Sequence, residues 1–149
     1  MIEAPANPTI TRGFLFGLAE PATHVGALAT YQVNDKIDVA LGAVNGWDLL
    51  VDNNRNKTIV GKLGITTEKA LLTISSLAGK ERNNSDWRAT LDATALIKLE
   101  KVALWLQGNV GFEEGVAAMG DSGTWMGFGL QPVIAIDPAL SVGARLEVF

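Results

Sequence analysis

The 149-residue chain has no cysteine and a single histidine, His24. The first absence excludes a disulfide scaffold, a thiolate metal site and a cysteine nucleophile, while leaving the compartment open. The second confines any Ser/His/Asp relay to His24, whose neighbours Thr23 and Gly26 form no nucleophile elbow. A rim or loop histidine suits that position better than catalysis. Basic charge is scarce too: 12 Lys+Arg stand against 16 Asp+Glu, a formal net charge of −4. That balance disfavours a nucleic-acid partner, which would need a basic surface for phosphates. No run approaches the roughly 20 apolar residues of a spanning helix, and Lys101 and Glu113 bound the best candidate. Residues 1–8 lack the basic and apolar regions of a secretory signal. The chain therefore reads as cytoplasmic, or as a mature or truncated piece of an exported protein.

Other chemistry finds little support. Glu113 and Glu114 are adjacent, and on a strand they point to opposite faces, so a solvated loop mouth explains them better than an acid/base pair. Asp48, Asp52, Asn53 and Asn54 offer oxygens to calcium, but their spacing misses the EF-hand pattern and reads as loop polarity. Gly123, Gly127 and Gly129 fall within a strand pattern, where glycine eases curvature, and make no phosphate cradle. The expectation is a protein without catalytic residues, metal or cofactor.

What the sequence does contain is period two. Hydrophobic residues make up 48% of the chain beside 16 glycines, a mixture unsuited to a helical bundle because glycine is costly inside helices. From Trp87 to Leu99 every second residue is apolar: Trp87, Ala89, Leu91, Ala93, Ala95, Ile97, Leu99. Between them stand Arg88, Thr90, Asp92, Thr94, Leu96 and Lys98. Successive strand side chains point to opposite faces, so this is a strand with one apolar and one mostly polar face. Residues 102–113, 140–148 and 36–43 repeat the alternation; 24–33, 57–66 and 124–136 follow it less cleanly, and 70–79 loosely. The reading is all-β: an antiparallel up-and-down β-barrel or partial barrel of about eight strands, each about the length that crosses a bilayer. It treats residues 1–149 as one domain, with 1–22 as an N-terminal loop or half-strand. The apolar patch Phe14, Leu15, Phe16 and Leu18 in that segment suits a strand, a short helix or a loop folded into a barrel, with Gly13 and Gly17 leaving the choice open. A loop or half-strand capping an interior is the most economical reading.

The connections alternate. Tight turns are expected at Asn34-Asp35, Thr67-Glu68, Glu100 and Asp137-Pro138, and long loops at 48–56, 80–86 and 113–122. The turns recur as an acid, then Lys or Pro, then a returning strand, once per hairpin. Short turns at one end and long loops at the other are the habit of outer-membrane barrels. Trp47, Trp87 and Phe112 stand beside the long loops, each on its strand's apolar parity, where membrane-interface aromatics belong. Trp125 shares that rim on the opposite parity, and Trp105 lies mid-strand among the polar set.

At residues 8–47 the text becomes specific. Pro8-Thr9-Ile10-Thr11-Arg12-Gly13-Phe14-Leu15-Phe16-Gly17-Leu18-Ala19-Glu20-Pro21 leads into Thr23-His24-Val25-Gly26, and Asn34-Asp35-Lys36 leads to Asn45-Gly46-Trp47-Asp48. These segments resemble the OmpL-like β-barrel porins (the porin-2 group) of Gram-negative bacteria, closely up to about residue 66. The resemblance implies an outer-membrane location, contact with outer-membrane lipid, a large antiparallel barrel and passive transport of small solutes through a channel. It carries no catalytic residue over. It also implies a longer barrel of which this chain is a piece or a derivative. Phe149, on the same parity as Glu147 and Arg145, does not match a C-terminal assembly signal.

The polar parity then supplies the candidate pore-lining residues: Lys62, Arg88, Asp92, Lys98, Gln107, Asn109, Gln131, Arg145 and Glu147. Both charge signs occur, so no strong ion preference follows. Parity leaves two readings open. In a porin the apolar face meets lipid and these residues meet water. In a soluble β-barrel binding module the apolar face packs inward around a small ligand. An outer-membrane enzyme using His24 is the third and weakest. Assembly with further copies of the chain stays open.

Overall fold

The computed structural model describes residues 9, 11–81, 86–116 and 120–149. Residues 1–8 and 10, and the interiors of two of the expected long loops (82–85 and 117–119), lie outside the described residues. The alternating segments form strands β1 (Gly26–Asn34), β2 (Ile37–Val44), β3 (Thr58–Thr66), β4 (Ala70–Lys80), β5 (Trp87–Lys98), β6 (Val102–Glu113), β7 (Gly123–Ala135), β8 (Ser141–Gly143) and β9 (Leu146–Val148). Each pairs antiparallel with its sequence neighbour, in the order β1 to β8, and β9 also pairs with β7. β8 and β9 are one crossing interrupted at Ala144 and Arg145, so the sheet crosses eight times, as the alternation implies. It is not closed: among the described residues, β1 and the β8–β9 crossing remain its two edges.

The short turns are shaped by their own side chains. Asn34 Oδ1 accepts from the amides of Lys36 and Ile37 at 2.9 and 3.0 Å. Asp137 Oδ1 accepts from Ala139 and Leu140 at 2.7 and 2.9 Å, and the Thr67 hydroxyl accepts from the Ala70 amide at 2.9 Å. Short polar side chains that hold the amides two or three residues onward are what turn a strand back on itself.

Register keeps like with like across the sheet. Val39 faces Leu63, Leu63 faces Ile74, Ile74 faces Ala93 and Leu91 faces Val110, all on one face. The opposite face carries Asp38, Lys62, Thr90, Asp92, Gln107 and Asn109. The apolar face is bare: Leu41 is 65% exposed, Leu91 49%, Met126 71% and Val148 72%. Burial is found on the other side. Among the described residues the buried apolar side chains are Leu15, Ala19, Pro21, Ala40 and Val44, and Thr58, Glu81, Thr90, Asp92, Asn109 and Glu113 are buried with them. A soluble sandwich or ligand-binding barrel would show the reverse, because burying apolar area is what drives its folding.

The N-terminal segment explains part of that burial. Among its described residues, where a loop or half-strand was expected, Leu15–Ala19 make a single π-helical turn that packs on β6 and β7. Leu15 is 0% exposed. It fits because Gly127 and Gly129 have no side chains; a Cβ on Gly127 would collide with one Leu15 methyl, and one on Gly129 would stand 3.2 Å from the other.

Candidate functional site

The polar face concentrates interacting polar groups in three zones. The first lies toward the long loops. Arg88 is ion-paired to Glu113, Nε to Oε2 3.3 Å, and its guanidinium lies 3.6 Å from the Trp47 ring centroid and 5.6 Å from that of Trp125. The two indoles meet edge to face at 6.0 Å and 88°. A guanidinium held over an indole and bound to a carboxylate is fixed in direction, whereas a lysine there would be free to swing. Trp125 donates its indole N–H to Asn109 Oδ1 at 3.1 Å, and its ring lies over Gly111, where a Cβ would strike it. Beneath Trp47, the buried Glu81 accepts from the Thr58 hydroxyl at 2.7 Å and from the Trp47 amide at 3.3 Å.

The second zone is mid-strand. Asp92 Oδ2 accepts from Gln107 Nε2 at 2.8 Å and Asn109 Nδ2 at 3.2 Å, and Asn109 also donates to the Thr90 hydroxyl at 3.3 Å. Gln107 reaches Glu20 as well, on the segment that crosses this face. Burial pushes the Glu20 carboxyl up to about 7, helped by the charges of Asp92 and Glu147, with the Gln107 bond opposing. Two strands away, Lys62 Nζ pairs with Asp38 Oδ2 at 2.7 Å.

The third zone is the edge crossing. Arg145 pairs with Glu147, Nε to Oε2 3.4 Å, and its fork donates to the hydroxyls of Thr9 and Thr11, both at 2.9 Å. It also reaches the Thr11 and Arg12 carbonyls. Glu147 accepts from the Phe14 amide at 2.9 Å.

A wall of hydrogen-bonded charge on one side of an antiparallel meander, with uncovered apolar side chains on the other, is the construction of a membrane β-barrel wall. Comparison with family models finds that of the family described as putative beta-barrel porin-2, OmpL-like, matching residues 1–149. The chain belongs to this porin family. Comparison with curated proteins and with solved structures finds no match.

Most residues expected to line a porin's polar face lie where parity puts them. Lys62, Arg88, Asp92, Gln107, Asn109, Arg145 and Glu147 all belong to the three zones. Gln131 lies opposite Trp105 on that face, with its Oε1 enclosed and without a hydrogen-bond partner. Lys98 stands apart at the short-turn end, exposed, near Lys69 and Lys101. Trp87 and Phe112 stay on the apolar face, Trp87 opposite Lys80 and Phe112 opposite Ala89.

Trp47 does not. The sequence put it on the apolar parity, but β2 ends at Val44 and Gly46 (φ 145°) and Asp48 (φ 55°) redirect the chain. The indole is thereby delivered to Arg88 and Trp125 on the polar face.

Glu113, expected at a solvated loop mouth, is instead buried and ion-paired with Arg88, because its parity turns it onto the polar face. Glu20, Asp38 and Glu81 were not among the expected pore-lining residues, although Asp38 shares their polar parity. Glu20 and Glu81 lie outside the strands, where parity says nothing. The polar loop 48–56 has a mechanical role: Asp48 Oδ1 accepts from the amides of Ala22 and Thr23, both at 2.7 Å, tying together the two stretches that carry the porin resemblance. His24 is exposed and lines a cleft beside Glu20 and Pro21.

Proposed function

We propose that the chain forms the wall of an outer-membrane porin-like channel that lets small solutes diffuse passively, without catalysis. The observation that carries the reading is the inversion of burial. Polar groups are buried and bonded on one face, while large apolar side chains such as Met126 and Val148 stand open on the other. Lipid is the solvent that suits such a face, and water suits the opposite one. The family supports an outer-membrane location and association with small solutes. Two charge signs alternate along the polar face, in the pairs Asp38–Lys62, Arg88–Glu113 and Arg145–Glu147. A passage lined this way filters by size and hydration more than by ion sign.

Hydrocarbon tolerates no open sheet edge, because unpaired backbone groups find no water there. In the bilayer the edges at β1 and β8–β9 therefore meet partner strands. The test is to refold the chain into lipid vesicles and planar bilayers. Ohmic conductance steps and uptake of small sugars are expected. Protein that enters vesicles yet leaves them sealed refutes the reading.

A further inference from the structure

We propose that the stretch from Thr11 to His24, ahead of β1, is a strap seated across the polar face, and that it narrows the passage so that unseating it admits a larger flow and larger solutes. This rests on the porin reading above. The first ground is a built seat. Leu15 is the one large side chain among the described residues that is fully buried, and it lies in the gap left by Gly127 and Gly129 of β7. Gly13 completes the fit from the strap's side, since a Cβ there would run into the Glu147 carboxylate.

The second ground is how the strap is held. Among the described residues up to His24, its bonds to the sheet and loops run through side chains: Arg145 to Thr9, Thr11 and Arg12, Glu147 to Phe14, Gln107 to Glu20, and Asp48 to Ala22 and Thr23. Backbone pairing begins only at Val25, whose carbonyl accepts from the Asn45 amide at 2.9 Å. Fastenings of this kind open without breaking a strand ladder, so the strap is able to leave while the wall stays intact. Asp48 holds its end from a left-handed conformation that glycine adopts more readily, at φ 55°.

The third ground is what the strap leaves open. A cleft of about 370 Å³ remains beside it, with Glu20, Pro21 and His24 of the strap on one side and Lys62, Thr90 and Asp92 of the sheet on the other. The strap is thus one wall of the remaining space, and its removal takes that wall away.

The experiment compares the wild-type chain with Gly127→Leu, which fills the seat, and Leu15→Asp, which spoils the strap without altering any strand. Gly108→Leu, on the bare face where an added Cβ meets nothing, serves as control. Each protein is refolded into lipid, and two readouts are taken: single-channel conductance, and the rate at which trypsin cleaves after Arg12 to leave a chain beginning at Gly13. Both seat variants are expected to conduct about twofold more or better, as a wider bore does, and to be cut several-fold faster. The control should match wild type. If Gly127→Leu does not fold, Leu15→Asp decides alone. Equal conductance in all proteins overturns the strap proposal and leaves the porin reading standing. Unchanged cleavage in the seat variants overturns it as well, because the strap would not have been seated there. Silence from every protein, wild type included, removes the porin reading and the strap proposal together.

Discussion

Leu91 and Thr94 lie three residues apart on β5 and point to opposite faces, which makes them a matched pair of probes. Leu91 sits between Ser76 and Val110 on the bare face and is 49% exposed. Thr94 sits between Thr73 and Gln107 on the polar face. Suppose each is replaced by arginine. If the bare face meets hydrocarbon, Leu91→Arg carries a guanidinium into lipid near the middle of the strand, a cost of about 2–4 kcal/mol. Thr94→Arg reaches a watered face that already holds charge, and its cost stays below about 1 kcal/mol. Leu91→Ala is the second control. With half its surface already uncovered, Leu91 loses only about 1 kcal/mol of burial on truncation, against about 2–5 kcal/mol for a core leucine. The assay is reversible folding into vesicles followed by tryptophan fluorescence against urea. Thr94→Arg proving the more costly substitution, or Leu91→Ala costing as much as a core truncation, would refute the assignment of faces.

Three further substitutions probe the polar face. The Glu20 carboxyl, raised to about 7 against an ordinary 4.5, is disfavoured as an anion while the strap is seated. That penalty is absent below about pH 4.5, grows as the pH climbs through 7, and reaches roughly 2–3 kcal/mol at most after allowance for screening. Trypsin cleavage after Arg12 should therefore speed up in wild type relative to Glu20→Gln between pH 5 and pH 8; a constant ratio would contradict this. Gly111→Ala pushes a methyl into the Trp125 ring and should cost about 1–3 kcal/mol in a urea titration. A neutral result would mean that the indole is free to move aside. Glu81→Ala takes the acceptor from the Thr58 hydroxyl and the Trp47 amide and should cost about 1–3 kcal/mol, with Glu81→Gln recovering much of it.

The strand framework was legible because a strand side chain has only two directions. Alternation from Trp87 to Leu99, carried through the short turns, yields the eight crossings and their polarity. The turn text was legible for a related reason, since Asn34, Thr67 and Asp137 act on amides two or three residues away. Which face is outermost was not legible. Parity is symmetric under inversion, and the three-dimensional signal is the burial of Asp92 and Asn109 against the exposure of Leu91 and Val110.

The strap was only half legible. Its apolar run suggested something folded against an interior, but its seat depends on Gly127 and Gly129, more than a hundred residues away, which read locally as strand curvature. Trp47 was misplaced because parity holds only while the strand does, and Gly46 and Asp48 break it. Glu20 and Glu81 escaped because no period governs residues outside the strands.

The central claim is that the apolar face belongs in lipid. Its most direct test is far-UV circular dichroism of the urea-unfolded chain diluted into buffer, with and without detergent micelles. The account predicts a β signal that develops only when micelles are present. Cooperative β structure in buffer alone would contradict it, because the bare faces would then be burying one another.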